Sequence, residues 1–399
     1  MATINKERLL TTFLDLVKID SPTGREADVA AYCKRALEES GCVVDPEVLK
    51  ALPGSNSGNV VATLAAFPQD LSLPNSSPSE PDLLYFSAHM DTVEPCHDVK
   101  PRIENGVIYS DGTTILGGDD KAGLAAIIEM IRCLKEGEAA GEPHPQIKVL
   151  FTVQEEVGLK GAKALGESEF LDAQGALCYV LDAAGKPGLV VNGAPYYYSY
   201  RAEFRGAAAH AGIEPEAGIS AIRAAAQAVA ALPQGRLDEQ STTNVGTIQG
   251  GTADNVVPPD CLVTGELRSH SLDRLLEYQA EIEDILRRQG NGSLVTAGAG
   301  TAEAVIEWEA NYEGFFAPED SPQVELARRA AERLGLETRT EISNGGADTN
   351  IFSSLGLAAV SLGSGMDKVH SIEERLAIID LENLASLALG IVKESMGKR

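Results

Sequence analysis

Leu83-Leu84-Tyr85-Phe86-Ser87-Ala88-His89-Met90-Asp91 is a short apolar run that ends on an imidazole and a carboxylate. A run of that length without polar alternation reads as a strand buried on both faces. Ile147-Lys148-Val149-Leu150-Phe151-Thr152-Val153 repeats the pattern, and residues 122–134 between the two form an apolar helix opened by Lys121-Ala122-Gly123. Strand, helix, strand in this order predicts an α/β sheet whose functional loops lie at strand ends.

Working outward, residues 6–40 show helical spacing in two pieces, with Leu9, Phe13, Leu16 and Val17 on one face and Val29, Tyr32 and Leu37 on another. Ser21-Pro22-Thr23-Gly24 separates them as a turn. A strand is expected at 59–64, then a surface loop rich in Pro and Ser from 67 to 82. From about Gly193 the pattern changes. Strands at 196–204, 244–249, 260–269 and 305–312 surround helices at 219–232 and 272–289, which predicts a smaller α+β domain with an antiparallel sheet inserted into the first. After Pro318 the helix and strand rhythm returns at 324–334, 358–363 and 381–394. The expected division is therefore 1–192 with 313–399 as one discontinuous domain and 193–312 as the insertion.

The polar residues at these strand ends are compatible with metal chemistry. Residues 89 and 91 share one side of an extended chain, so His89 can offer one ring nitrogen to a metal while the Asp91 carboxylate holds the other N–H. In the glycine-flanked loop Leu116-Gly117-Gly118-Asp119-Asp120-Lys121, a carboxylate of Asp119 or Asp120 could present its two oxygens to two cations. Glu155 and Glu156 are adjacent at a strand end and point in different directions, so one can bind metal while its neighbour serves as general base. Asp182 closes the run Ala176-Leu177-Cys178-Tyr179-Val180-Leu181, and His370 adds a second imidazole. Two imidazoles with several carboxylates suit a paired-metal hydrolytic site better than a structural zinc knot.

Composition narrows the function classes. The chain has 399 residues, 44% hydrophobic, and a net charge of −26, long enough for two cores and repelled by nucleic acid and anionic membranes. The opening residues lack the apolar stretch of a secretory signal and no run of about 18 apolar residues occurs, so a cytoplasmic protein is expected. Six scattered cysteines contain no Cys-x-x-Cys pair and read as reduced, buried thiols. Cys96-His97 reads as a polar loop rather than a nucleophile pair, and His144 and His270 as solvent-facing.

Four segments, Ser87-Ala88-His89-Met90-Asp91-Thr92, Leu116-Gly117-Gly118-Asp119-Asp120-Lys121-Ala122-Gly123, Glu155-Glu156-Val157-Gly158-Leu159-Lys160-Gly161-Ala162 and His370-Ser371-Ile372-Glu373-Glu374, together resemble the peptidase T family of zinc aminopeptidases. That family belongs to the superfamily of glutamate carboxypeptidases, aminoacylases and succinyl-diaminopimelate desuccinylase. The resemblance spans nearly the whole chain. It implies a zinc-exopeptidase-type mixed sheet flanked by helices, with the insertion serving as lid and dimerisation domain. It further implies two zinc ions (cobalt or manganese as substitutes), one on His89, Asp119 and Asp182 and the other on Asp119, Glu156 and His370. Asp119 would bridge them and be joined to Asp120 by a cis peptide, with Glu155 as general base and Asp91 orienting His89.

In the insertion, Gly206-Ala207-Ala208-Ala209-His210-Ala211-Gly212 is similar to the family's histidine motif, whose imidazole, often from the partner subunit, stabilises the tetrahedral oxyanion. Asn255 and Arg268 match substrate-contacting positions, and Asn344-Gly345-Gly346 a glycine-rich loop beside the substrate. The tripeptidases proper tend to carry Arg where this chain has Asn344, a departure that bears on strict tripeptide specificity. Tyr196, Tyr197, Tyr198 and Trp308 are expected to pack within the insertion. The resulting expectation is a homodimeric tripeptidase-like aminopeptidase acting on short peptides. Its rivals are an amidase or carboxypeptidase acting on N-acyl amino acids or dipeptides, and a non-catalytic metal- or peptide-binding protein.

Overall fold

The computed structural model describes residues 3–68, 83–166, 175–291 and 301–397; most of the loop expected at 67–82 lies outside them. The chain divides into two compact units. One comprises Met1–Gly193, Phe316–Ser343 and Ala347–Arg399, the other Ala194–Phe315 with Asn344–Gly346.

The first unit is built on a mixed sheet with a parallel centre. Leu83–His89 runs parallel to Gln146–Thr152 on one side and to Leu177–Ala183 on the other, and Ala358–Gly363 continues parallel to Leu177–Ala183. Val60–Leu64 lies on one flank antiparallel to Gln146–Thr152, with Val43–Val44 paired outside it, and Leu189–Ala194 joins Ala358–Gly363 antiparallel on the other. These central strands are almost wholly buried because helices cover the sheet, which explains their unbroken apolar runs. Parallel alignment also puts their carboxyl ends along one edge, the place where open α/β sheets form crevices.

Helix Gly118–Glu138 is the central helix of this unit, with apolar side chains buried around its full circumference from Leu124 to Ile131. Helix Lys6–Val17 packs on it, started by Asn5, whose side chain accepts the Arg8 N–H at 3.1 Å. Arg8 then grips the fully buried Glu129 of the central helix in a two-pronged pair, with Nε to Oε2 at 2.7 Å and Nη2 to Oε1 at 2.8 Å. Helices Pro322–Arg333 and Ile378–Ser395 complete this side of the core.

The second unit is an antiparallel sheet, ordered 235–236, 241–250, 260–269, 196–205 and 303–312, with helices Ala221–Ala231 and Leu272–Asn291 packed on one face. Tyr196, Tyr198, Tyr200 and Trp308 turn to that helical face, and the Tyr200 and Trp308 rings lie 5.0 Å apart. Tyr197 faces the opposite way, stacked under the Arg268 guanidinium. Residues 344–346 join this unit although they follow strand Arg339–Ile342 of the first; Gly346 sits so tightly on the Tyr312 ring that an added Cβ would lie 2.2 Å from it.

His144 corrects an expectation. It is buried rather than solvent-facing, stacked on Phe67, with Nδ1 2.8 Å from the Pro145 carbonyl and Nε2 3.3 Å from Glu138. His270 is half-buried, 3.5 Å from Asn344 Oδ1. All six cysteines are buried free thiols. Among the described residues no helix is long and apolar enough to cross a membrane.

Replacing Arg8 by Ala leaves the Glu129 carboxylate buried with the Asn5 N–H and the weakly donating Cys133 thiol as partners. The loss, discounted for the partial exposure of Arg8, is about 2–3 kcal/mol. Calorimetry is expected to show the first unit melting several degrees lower, with Glu129→Gln giving a smaller shift.

Candidate metal centre

Each polar group enters the crevice from the end of an element. His89 is the last residue of its strand and Asp182 lies one residue from the end of another. Glu155 and Glu156 follow strand Gln146–Thr152, past Gln154, which is held at φ +54°. Asp119 and Asp120 sit at the mouth of the central helix, outside helical φ/ψ and joined by a cis peptide, after Gly117 at φ +72°. His370 has φ +60°, an uncommon conformation for a residue with a side chain and one the surrounding structure must impose.

Asp119 is the meeting point. Its Oδ1 lies 3.0 Å from His89 Nε2 and its Oδ2 lies 3.2 Å from His370 Nε2. Asp182 Oδ1 approaches His89 Nε2 at 3.8 Å, and Glu156 Oε1 lies 2.9 Å from His370 Nε2. Ligand atoms of His89, Asp119 and Asp182 all lie within 4.8 Å of one another, as do those of Asp119, Glu156 and His370. Two nitrogen-and-oxygen donor sets sharing one carboxylate fit a pair of divalent cations and leave each ion room for further ligands.

Asp91 departs from expectation. The nearest acceptor for His89 Nδ1 is the Asp91 main-chain carbonyl at 2.9 Å, with the carboxylate Oδ1 farther off at 3.6 Å. The carboxylate is turned instead towards the acidic loop, where it accepts the N–H of Glu155 at 2.9 Å, the N–H of Glu156 at 3.3 Å and the Thr23 hydroxyl at 2.9 Å. These donors satisfy a carboxylate with no solvent exposure, which an imidazole alone would not do.

Glu374 escaped assignment from sequence. It is buried and accepts the N–H of Gly117 at 2.7 Å and of Asp119 at 3.0 Å, pinning the loop that carries the shared carboxylate. Its neighbour Glu373 is exposed and pairs with Lys368, and nothing in an acidic pair announces which member turns inward. Asp348 is likewise buried, bonded by the Thr152 hydroxyl at 2.5 Å, and burial pushes its carboxyl up to about 6.

The electrostatics are those of crowded acids. Burial pushes Glu155 well above the ordinary glutamate range, opposed by His89 and reinforced by the charges of Asp348, Glu156 and Asp91. Burial likewise raises Asp182. Burial would raise Asp119 too, yet the His370 and His89 imidazoles hold it below its ordinary value. His370, beside Asp119 and Glu156, is raised to about 10.

The remaining candidates lie in the second unit. His210 and Asn255 are neighbours there: the Ala211 N–H donates to the Asn255 carbonyl at 2.9 Å, and the Gly212 N–H donates to His210 Nδ1 at 3.2 Å. Arg268 lies 4.3 Å over the Tyr197 ring, donates to the Tyr312 hydroxyl at 3.1 Å and pairs with Glu266 at 3.1 Å.

The sequence profile of peptidase family M20/M25/M40 matches residues 85–394. The chain is 37% identical to the uncharacterized protein YqjE of Bacillus subtilis over 98% of its own length and 99% of the relative's. Among solved structures it is similar to an aminopeptidase PepT from Bacillus cereus, with 37% identity, 98% and 99% of the two chains covered and a TM-score of 0.84. It is also similar to a tripeptidase from Staphylococcus aureus, with 38% identity, 99% and 100% covered and a TM-score of 0.87.

With its pKa raised to about 10, His370 carries a proton at neutral pH, whereas a metal needs the free nitrogen. Divalent-ion binding at pH 7 is therefore expected to release protons, and affinity to rise with pH up to about 10. Titration calorimetry in buffers of different ionisation enthalpy measures the proton count, and a value of zero would contradict the assignment of His370.

Proposed function

The chain belongs to peptidase family M20/M25/M40 and is a metal-dependent exopeptidase, and from that premise we propose that it removes the N-terminal residue from short peptides at a dinuclear metal centre. The observation that carries the proposal is the division of Asp119 between two donor sets, one oxygen towards His89 and the other towards His370.

In this reading His89, Asp119 and Asp182 hold one ion, Asp119, Glu156 and His370 hold the other, and zinc is the proposed metal, with cobalt or manganese able to replace it. Such a pair supplies Lewis acidity, making a water more acidic and polarising the scissile carbonyl. Glu155 takes the proton from that water onto its carboxylate and passes it to the leaving amine. Its environment suits both halves of the task, since burial makes a proton easier to hold than on a solvated glutamate. Glu374 and Asp91 hold the backbone of the loops that carry Asp119 and Glu155.

The second unit is proposed to serve as lid and homodimer interface. His210 would donate to the oxyanion, from the same chain or from its partner. Asn255 and the turn Asn344-Gly345-Gly346 would contact the peptide, and Arg268, already stacked and paired, would orient a substrate carboxylate. A cytoplasmic location is part of the proposal, consistent with six free thiols.

Glu155→Gln is expected to retain two ions per chain and to lose about 10²–10⁴-fold in kcat. Parent-like turnover with both ions bound would remove Glu155 from its role. A free-amine tripeptide is expected to be cleaved and its N-acetylated form to resist. The reverse preference would favour an amidase acting on N-acyl substrates.

A further inference from the structure

Glu26 occupies the N-cap position of helix Ala27–Glu39, yet its side chain makes no cap bond there. It is turned inward with no solvent exposure. Its Oε1 accepts the Gly24 N–H at 2.8 Å and the Gln154 N–H at 3.2 Å, and its Oε2 accepts the Ser55 hydroxyl at 2.6 Å. A buried carboxylate held by two backbone N–H groups and a hydroxyl needs a reason to be where it is, because an apolar residue would fill the space at lower desolvation cost.

The reason lies in the acidic loop it touches. Gln154, Glu155 and Glu156 present three successive N–H groups, and two buried carboxylates take all three: Glu26 the first, at 3.2 Å, and Asp91 the other two, at 2.9 Å and 3.3 Å. Gln154 is at φ +54°, a conformation a residue with a side chain holds only when its surroundings fix it. Thr23, three residues before Glu26, bonds Asp91 through its hydroxyl at 2.9 Å, so one short turn reaches both acceptors. The outer side of the same turn, with Pro22, Thr23 and Arg25, lines a cavity of about 520 Å³ that Glu156 also borders.

We propose that Glu26 is a positioning residue of the hydrolytic centre: from the first turn of the fold it sets the Gln154 peptide and with it the direction in which the Glu155 carboxylate points. Glu26 does not touch substrate or metal. It acts through length and hydrogen bonding, and its negative charge is not required. Glutamine, placed with its oxygen towards Gly24 and Gln154 and its amide towards Ser55 Oγ, can make the same three contacts. Aspartate is one methylene too short to reach Ser55 and Gln154 together. The proposal rests on Glu155 being the general base, and its test separates the two.

The experiment compares Glu26→Gln and Glu26→Asp with the parent, each loaded with zinc, by kcat and KM on a free-amine tripeptide, bound metal per chain, and amide hydrogen exchange of the segment 153–157. Glu26→Gln is expected to stay within about threefold of the parent in every readout. Glu26→Asp is expected to lose about 10–100-fold in kcat, with KM within threefold and two ions retained, and to exchange the amides of 154–156 at least tenfold faster. Unchanged kcat and unchanged exchange in Glu26→Asp would overturn the proposal, as would a loss seen in KM or metal content alone, or an equal loss in both variants. If the parent itself cleaves no peptide, the aminopeptidase reading fails, while the exchange comparison still decides whether Glu26 holds the loop. Should Glu26→Asp not fold, Ser55→Ala carries the test through the anchoring hydroxyl, with a kcat loss of about threefold and faster exchange expected and parent behaviour in both overturning it.

Discussion

The centre depends on one carboxylate being presented to two imidazoles at once. Asp119 meets His89 and His370 from opposite oxygens, and only a residue at the entrance of a buried helix, facing the carboxyl edge of a parallel sheet, is placed to do so. Much of the first unit serves that placement. Glu374 ties down the N–H groups of Gly117 and Asp119, and the Arg8–Glu129 pair locks the same helix farther along.

The crevice concentrates Asp91, Asp119, Glu155, Glu156, Asp182 and Asp348 around two imidazoles, and the largest perturbing charges on Glu155, Asp119 and Asp182 come from these acids and imidazoles and from Asp120. In a low-dielectric setting such a set is poorly compensated on its own. Three responses follow: burial raises the carboxyls of Glu155 and Asp182, the acids around His89 and His370 raise both imidazoles, and N–H groups are turned onto Asp91 and Glu374. Divalent cations answer the same imbalance more fully, so metal binding and stability of this edge are coupled. The buried carboxylates therefore fall into two kinds, those that offer oxygen to a cation and those saturated by backbone N–H groups. Glu26, Asp91 and Glu374 are of the second kind, and they shape the loops on which the first kind ride.

Sequence and structure agree most closely where burial leaves a periodic trace. The strands at 83–89, 146–152 and 177–183 were legible because a sheet covered on both faces selects continuous apolar runs, and the helices at 6–17 and 272–291 because their apolar residues recur on one face. The strand ends followed, and with them the positions of His89, Glu155, Glu156 and Asp182, while Asp119 was marked by the glycines before the helix Gly118–Glu138. Short strands such as 102–104 and 107–109, and the two-turn helix Asp348–Ser354, left no comparable pattern because three to seven residues are too few to establish a period.

From sequence alone came the α/β sheet, the inserted α+β portion and a set of acids and imidazoles near element ends, since apolar period and the polarity that bounds it are local properties of the chain. Tertiary structure alone decided how those side chains are used. It turned the Asp91 carboxylate from His89 towards the Glu155 loop, chose Glu374 over Glu373 for the interior, buried His144, carried residues 344–346 into the second unit and drew Glu26 across to Gln154. Each of these choices is a hydrogen bond or packing contact between residues far apart in sequence, and a pairing of that kind is fixed by which N–H or ring folding brings within about 3 Å, information no local pattern contains.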